Sequence, residues 1–67
     1  MTLLVETPAG VLQIERVGSY RTYVARLDGG PWTAWGDLRG VVAEALGRDP
    51  QDEAVTAVLR PAAATTW

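Results

Sequence analysis

The chain reads as an α+β domain: a three- to four-stranded antiparallel sheet in the order β-β-β-β-α, one main helix at about 37–47 on one face, and a second short helix or a final strand at about 50–60. Three observations lead there. The first half consists of short apolar or alternating runs interrupted by turn signals rich in glycine. The stretch from Leu38 repeats its apolar residues at helical spacing. The breaks between the early runs are short, and short connections make neighbouring strands antiparallel.

The first strand is expected at Thr2 to Glu6, ended by the turn residues Pro8 and Gly10. Val11 to Val17 alternates, with Leu12 and Ile14 on one side and Gln13 and Glu15 on the other. Gly18 and Ser19 then permit a reversal into a third strand, Tyr20 to Leu27. Asp28 to Pro31 is another break, and Trp32 to Trp35 has the length of one more brief strand. In such a strand the two tryptophans point to opposite faces, so one ring is expected in the core and the other on a face that a chain this short can hardly cover.

Leu38, Val41, Val42, Ala45 and Leu46 form one apolar stripe, with Asp37 placed to cap its first amides and Gly47 to end it. Gly40 inside that helix is read as a tolerated flaw rather than a close approach to the sheet. Beyond it, Asp49 as cap, Pro50 at the first position, Asp52 and Glu53 in the first turn and Pro61 as a stop favour a second helix. The β-branched content of Val55 to Leu59 keeps a final strand open. Residues 1–61 are expected to form a single domain and 62–67 a flexible tail, with Trp67 either disordered or folded back as a plug.

A chain of 67 residues buries only roughly 60% of its unfolded surface, so association or a very well-packed core is expected to support it. With no cysteine and no histidine, disulfides are excluded, and the usual soft metal ligands, the common general base and the thiol nucleophile are missing. Ser19, the sole serine, belongs to a turn. The acids are scattered, Asp49, Asp52 and Glu53 being ordinary for a helix start, and Gly29-Gly30 lacks the spacing of a phosphate loop. The expectation is a non-enzyme with no cofactor and no metal. No apolar run approaches the roughly 20 residues of a membrane span, and a cytoplasmic location is expected.

A net charge of −2 gives no electrostatic reason for a phosphate backbone as partner, and the six cations are all arginine. Aromatics and arginines are what interface centres favour. The expected contact set is therefore Tyr20, Arg21, Tyr23, Arg26, Trp32 and Trp35, on a sheet face or edge offered to another protein. The alternatives are a sheet-based single-stranded nucleic-acid binder, which the acidic balance opposes, and a structural homo-oligomer.

The segment from Tyr20 to Leu46 resembles the small HicB-like antitoxin domain through Tyr23, Val24, Ala25, Gly36, Asp37, Glu44, Ala45 and Leu46, the likeness covering residues 11–46. Leu38, Arg39 and Gly40 depart from the threonine and glutamates that commonly follow the family's Gly-Asp. The resemblance implies a protein that binds and blocks another protein, with self-association, no active site, and a strand after the helix. A phage-encoded inhibitor of a host enzyme or defence complex is a mechanistically similar expectation, and a homodimer is expected to be compatible with either.

Overall fold

The computed structural model describes residues 2–18, 21–65 and 67. Three strands, β1 (Thr2–Thr7), β2 (Gly10–Arg16) and β3 (Tyr23–Leu27), form one antiparallel sheet in sequence order, followed by α1 (Leu38–Leu46) and α2 (Glu53–Ala64). The α+β class is as the residue pattern indicates.

The first hairpin turns on Pro8 and Ala9, with Thr7 opposite Gly10. Gly10 holds φ at +136°, and a Cβ there would collide with the Asp28 carboxylate, whose Oδ1 accepts the Val11 amide at 2.8 Å. One glycine thus lets the first turn and the end of β3 close on each other. The register pairs Leu3 with Ile14, Val5 with Leu12, Ile14 with Ala25 and Leu12 with Leu27, so the apolar members share a face.

Both helices cover that face. Leu12, Ile14, Tyr23 and Ala25 from the sheet meet Val41, Val42 and Ala43 from α1 and Val55, Val58 and Ala62 from α2 in a single core. In α1 the Asp37 carboxylate accepts the Gly40 amide at 2.9 Å, and Gly47 closes the helix in the left-handed region. The bonds from Gly47 to the Glu44 carbonyl and from Arg48 to the Ala43 carbonyl complete a Schellman ending. A Cβ at Gly40 would meet the Asp37 carboxylate, so the near neighbour there is the cap, not the sheet.

Several expectations are corrected. No fourth strand forms at 32–35: the chain there makes one isolated bridge, Gly36 to Tyr23, and is otherwise irregular. Pro31 has no amide hydrogen to give a ladder, and the Thr33 hydroxyl, rather than a backbone carbonyl, accepts the Ala25 amide at 3.1 Å. β3 starts at Tyr23 rather than Tyr20; Ser19 and Tyr20 lie outside the described residues.

The segment after α1 is a helix, not a final strand, because Val55, Val58 and Ala62 fall on one helical face and bury together. Its cap is Asp52, which accepts the Ala54 amide at 2.8 Å, rather than Asp49. Asp49 is spent on a turn, accepting the Gln51 amide at 2.9 Å. The helix also passes through Pro61 to Ala64, so 62–64 are helical rather than a loose tail. The amide that proline lacks would have bonded Ala57, which is exposed, so water can satisfy that carbonyl. Buried Ala62 holds the last turn to the core.

Candidate functional site

Because both helices lie on one side, the other face of the sheet carries the alternate residues of each strand: Leu4 and Glu6 from β1, Val11, Gln13 and Glu15 from β2, and Arg26 with the buried Val24 from β3. A polar chain crosses it. The Thr2 hydroxyl and the Gln13 amide both donate to Glu15 Oε2, at 3.2 and 3.0 Å, and Arg26 Nε donates to Gln13 Oε1 at 2.8 Å. The guanidinium held in this way lies over the Trp32 ring, 4.3 Å from its centroid. Leu4 and Val11 stand exposed on the same face.

Beyond β3 runs the irregular strip 31–36. Gly36 exchanges both backbone bonds with Tyr23, at 2.8 and 3.1 Å, and the Thr33 amide donates to the Ala25 carbonyl at 2.8 Å. On its other side the Ala34 amide donates to Glu44 Oε2 of α1 at 3.2 Å. The strip is therefore anchored to sheet and helix alike, and yet it leaves Trp32 40% and Trp35 73% exposed. Neither indole is core, which overturns the expectation that one of the two is buried. Opposite-face parity does not apply to a segment that is not a strand.

The tryptophan that joins the core is Trp67. Its ring meets Tyr23 edge-on, centroids 5.3 Å apart at 68°, and its indole N–H donates to the Ala62 carbonyl at 3.1 Å. Arg16 Nη1 donates to the Trp67 carbonyl at 3.2 Å. Of the two fates read from the sequence, the folded-back plug is the one observed.

The expected contact residues therefore separate. Arg26, Trp32 and Trp35 lie on or beside β3, with Arg26 and Trp32 in direct contact. Tyr23 is buried and belongs to the core. Arg21 is exposed beside a shallow groove lined by Tyr23, Leu38, Leu59 and Trp67, at the tail rather than beside Trp32. Tyr20 lies outside the described residues. Leu4 and Val11 were missed as surface candidates; the signal for Val11 was its place on the Gln13 and Glu15 side of the β2 alternation, whereas the apolar run Leu3-Leu4-Val5 holds nothing that marks Leu4.

Among the described residues no three carboxylates gather into a cation site, and no helix is long and apolar enough to cross a membrane. The chain is thus a small α+β domain with one helix-covered sheet face and one open face bordered by exposed indoles. No family model, no curated protein and no solved structure matches it.

Proposed function

We propose that this chain is a non-enzymatic, cytoplasmic protein-binding module, antitoxin-like or inhibitory, whose contact surface is the open sheet face together with the strip carrying Trp32 and Trp35. The observation that carries the reading is Trp35, an indole 73% exposed on a strip that hydrogen bonds tie to both β3 and α1. Burying a large, rigid ring costs little side-chain entropy and removes much apolar area from water, which is why tryptophan is enriched among the residues that dominate interface energetics. Arg26 stacked on Trp32 supplies a second such pair, its guanidinium already oriented by Gln13. The antitoxin-like reading is supported by the resemblance through Gly36, Asp37, Glu44 and Ala45, and the absence of histidine and cysteine supports a non-catalytic role.

The test is capture of protein from the native cytoplasm by the immobilised chain and by its Trp35→Ala variant. A partner retained by the parent and lost by the variant is the expected result. Capture that survives both Trp35→Ala and Trp32→Ala would remove this surface from consideration, and binding of a single-stranded oligonucleotide at low salt would favour the nucleic-acid alternative instead.

A further inference from the structure

The two edges of the sheet are treated differently. In β2 the Val11 carbonyl accepts the Asp28 amide at 2.8 Å, and just past its end the Val17 amide donates to the Thr22 carbonyl at 2.7 Å, so the odd-numbered residues of β2 bond toward β3. The even-numbered ones then bond toward β1, where Leu12 faces Val5 and Ile14 faces Leu3. The outer edge of β3 accordingly presents Tyr23, Ala25 and Leu27, and each is met: Tyr23 by Gly36, Ala25 by Thr33, and the Leu27 carbonyl by the Gly30 amide at 2.9 Å. The outer edge of β1 presents the backbone groups of Thr2, Leu4 and Glu6. Among the described residues no backbone hydrogen bond reaches these from outside the sheet.

β1 also lacks the devices that discourage strand addition. It has no lysine, arginine or proline, its pairing with β2 is continuous without a bulge, and Glu6 is its one charge. Leu4 stands 64% exposed in its centre. On the other face Leu3 and Val5 pack against the core but are only half-buried, whereas their ladder partners Ile14 and Leu12 are fully buried.

We propose that the occupant of this edge is a second copy of the chain, joined about a two-fold axis through Leu4 to give a continuous six-stranded antiparallel sheet. The sequence of β1 is complementary to itself in that register. Leu4 meets Leu4 of the second copy on the open face; Thr2 meets Glu6, so no like charges oppose; Leu3 meets Val5 on the core face. A groove between the hairpin end of β1 and α2 has Val5, Ala54, Ala57 and Val58 in its wall, and Val5 is the residue that the second copy's Leu3 would face in this register. Only Thr2, Leu4 and Glu6 need bond across the axis, and they are the three whose backbone groups face outward. This goes beyond the module proposed above, since it uses β1 and leaves the Trp35 strip at the opposite edge free.

Light scattering on the whole chain is expected to give twice the 7.2 kDa chain mass. Leu4→Lys, which sets two cations against each other on the axis, is expected to give the single-chain mass with unchanged far-ultraviolet circular dichroism. The chain has no cysteine, so Leu4→Cys reports on the register. Directly opposed residues of a hydrogen-bonded antiparallel pair have Cα atoms about 5.5 Å apart, within disulfide reach. Leu4→Cys is therefore expected to link two chains on mild oxidation while Val11→Cys, exposed on the same face but in β2, does not. A parent of single-chain mass at the highest attainable concentration overturns the proposal. So does a dimer that Leu4→Lys leaves intact and Leu4→Cys fails to cross-link. Loss of partner capture in Trp35→Ala with the dimer preserved separates this inference from the one before it.

Discussion

Replacing Trp67 by alanine is the substitution that most directly tests how this short chain is held together. A buried tryptophan covers about 150–250 Å²; for Trp67, partly buried against the core, about 100 Å² of apolar area removed from water is a lower figure, worth about 2.5 kcal/mol. The edge contact with Tyr23 adds about 1 kcal/mol, and the indole bond to the Ala62 carbonyl about another 1 kcal/mol. Ordering the last residue and its side chain costs about 2 kcal/mol. The net loss expected for Trp67→Ala is about 2–3 kcal/mol, against a total of about 3–10 kcal/mol for a chain of this length.

For a domain of this size each kcal/mol moves the melting temperature by about 4–8 °C, so the midpoint should fall by about 10–20 °C in a far-ultraviolet circular dichroism melt. Trp67→Phe keeps a smaller aromatic ring for Tyr23 while losing the N–H and part of the apolar area, and is expected to fall by less than Trp67→Ala. A Trp67→Ala variant that melts within about 3 °C of the parent would show that the folded-back ring contributes nothing, and the reasoning would fail.

Trp35→Ala is expected to leave stability within about 0.5 kcal/mol of the parent in a urea titration, because the ring is mostly in water, while removing partner capture. Gly10→Ala should destabilise by about 2–4 kcal/mol in the same assay, since it imposes φ strain and displaces the Asp28 carboxylate from the Val11 amide. Asp52→Ala should cost about 1 kcal/mol by loss of the α2 cap, whereas Asp49→Ala, which removes a turn contact only, should cost less; the reverse order would restore Asp49 as the cap.

The elements that were legible are those whose determinants lie close together in the chain. The α1 stripe, its Asp37 cap and its Gly47 ending are all local, and each is found where the residues put it. The strand β1 follows from a short apolar run, β2 from alternation, and the hairpin between them from the turn residues Pro8 and Gly10. The start of α2 was misplaced because Asp49 and Asp52 are both competent caps, and the choice between them depends on the turn Asp49 makes with Gln51. Of the contact surface, Arg26, Trp32 and Trp35 were legible as residue types. Their exposure was not, because it depends on whether 32–35 completes a ladder, and that is decided by the bonds Thr33 and Gly36 make with Ala25 and Tyr23.

Periodicity and punctuation establish two hairpin-linked strands and a capped helix, and composition establishes the lack of thiol and imidazole chemistry and cations that are all arginine. Which indole enters the interior is a tertiary matter. Trp67 takes the place beside Tyr23 because α2, packed through Val55, Val58 and Ala62, carries the end of the chain back across the sheet, and no pattern within a few residues of either ring encodes that meeting.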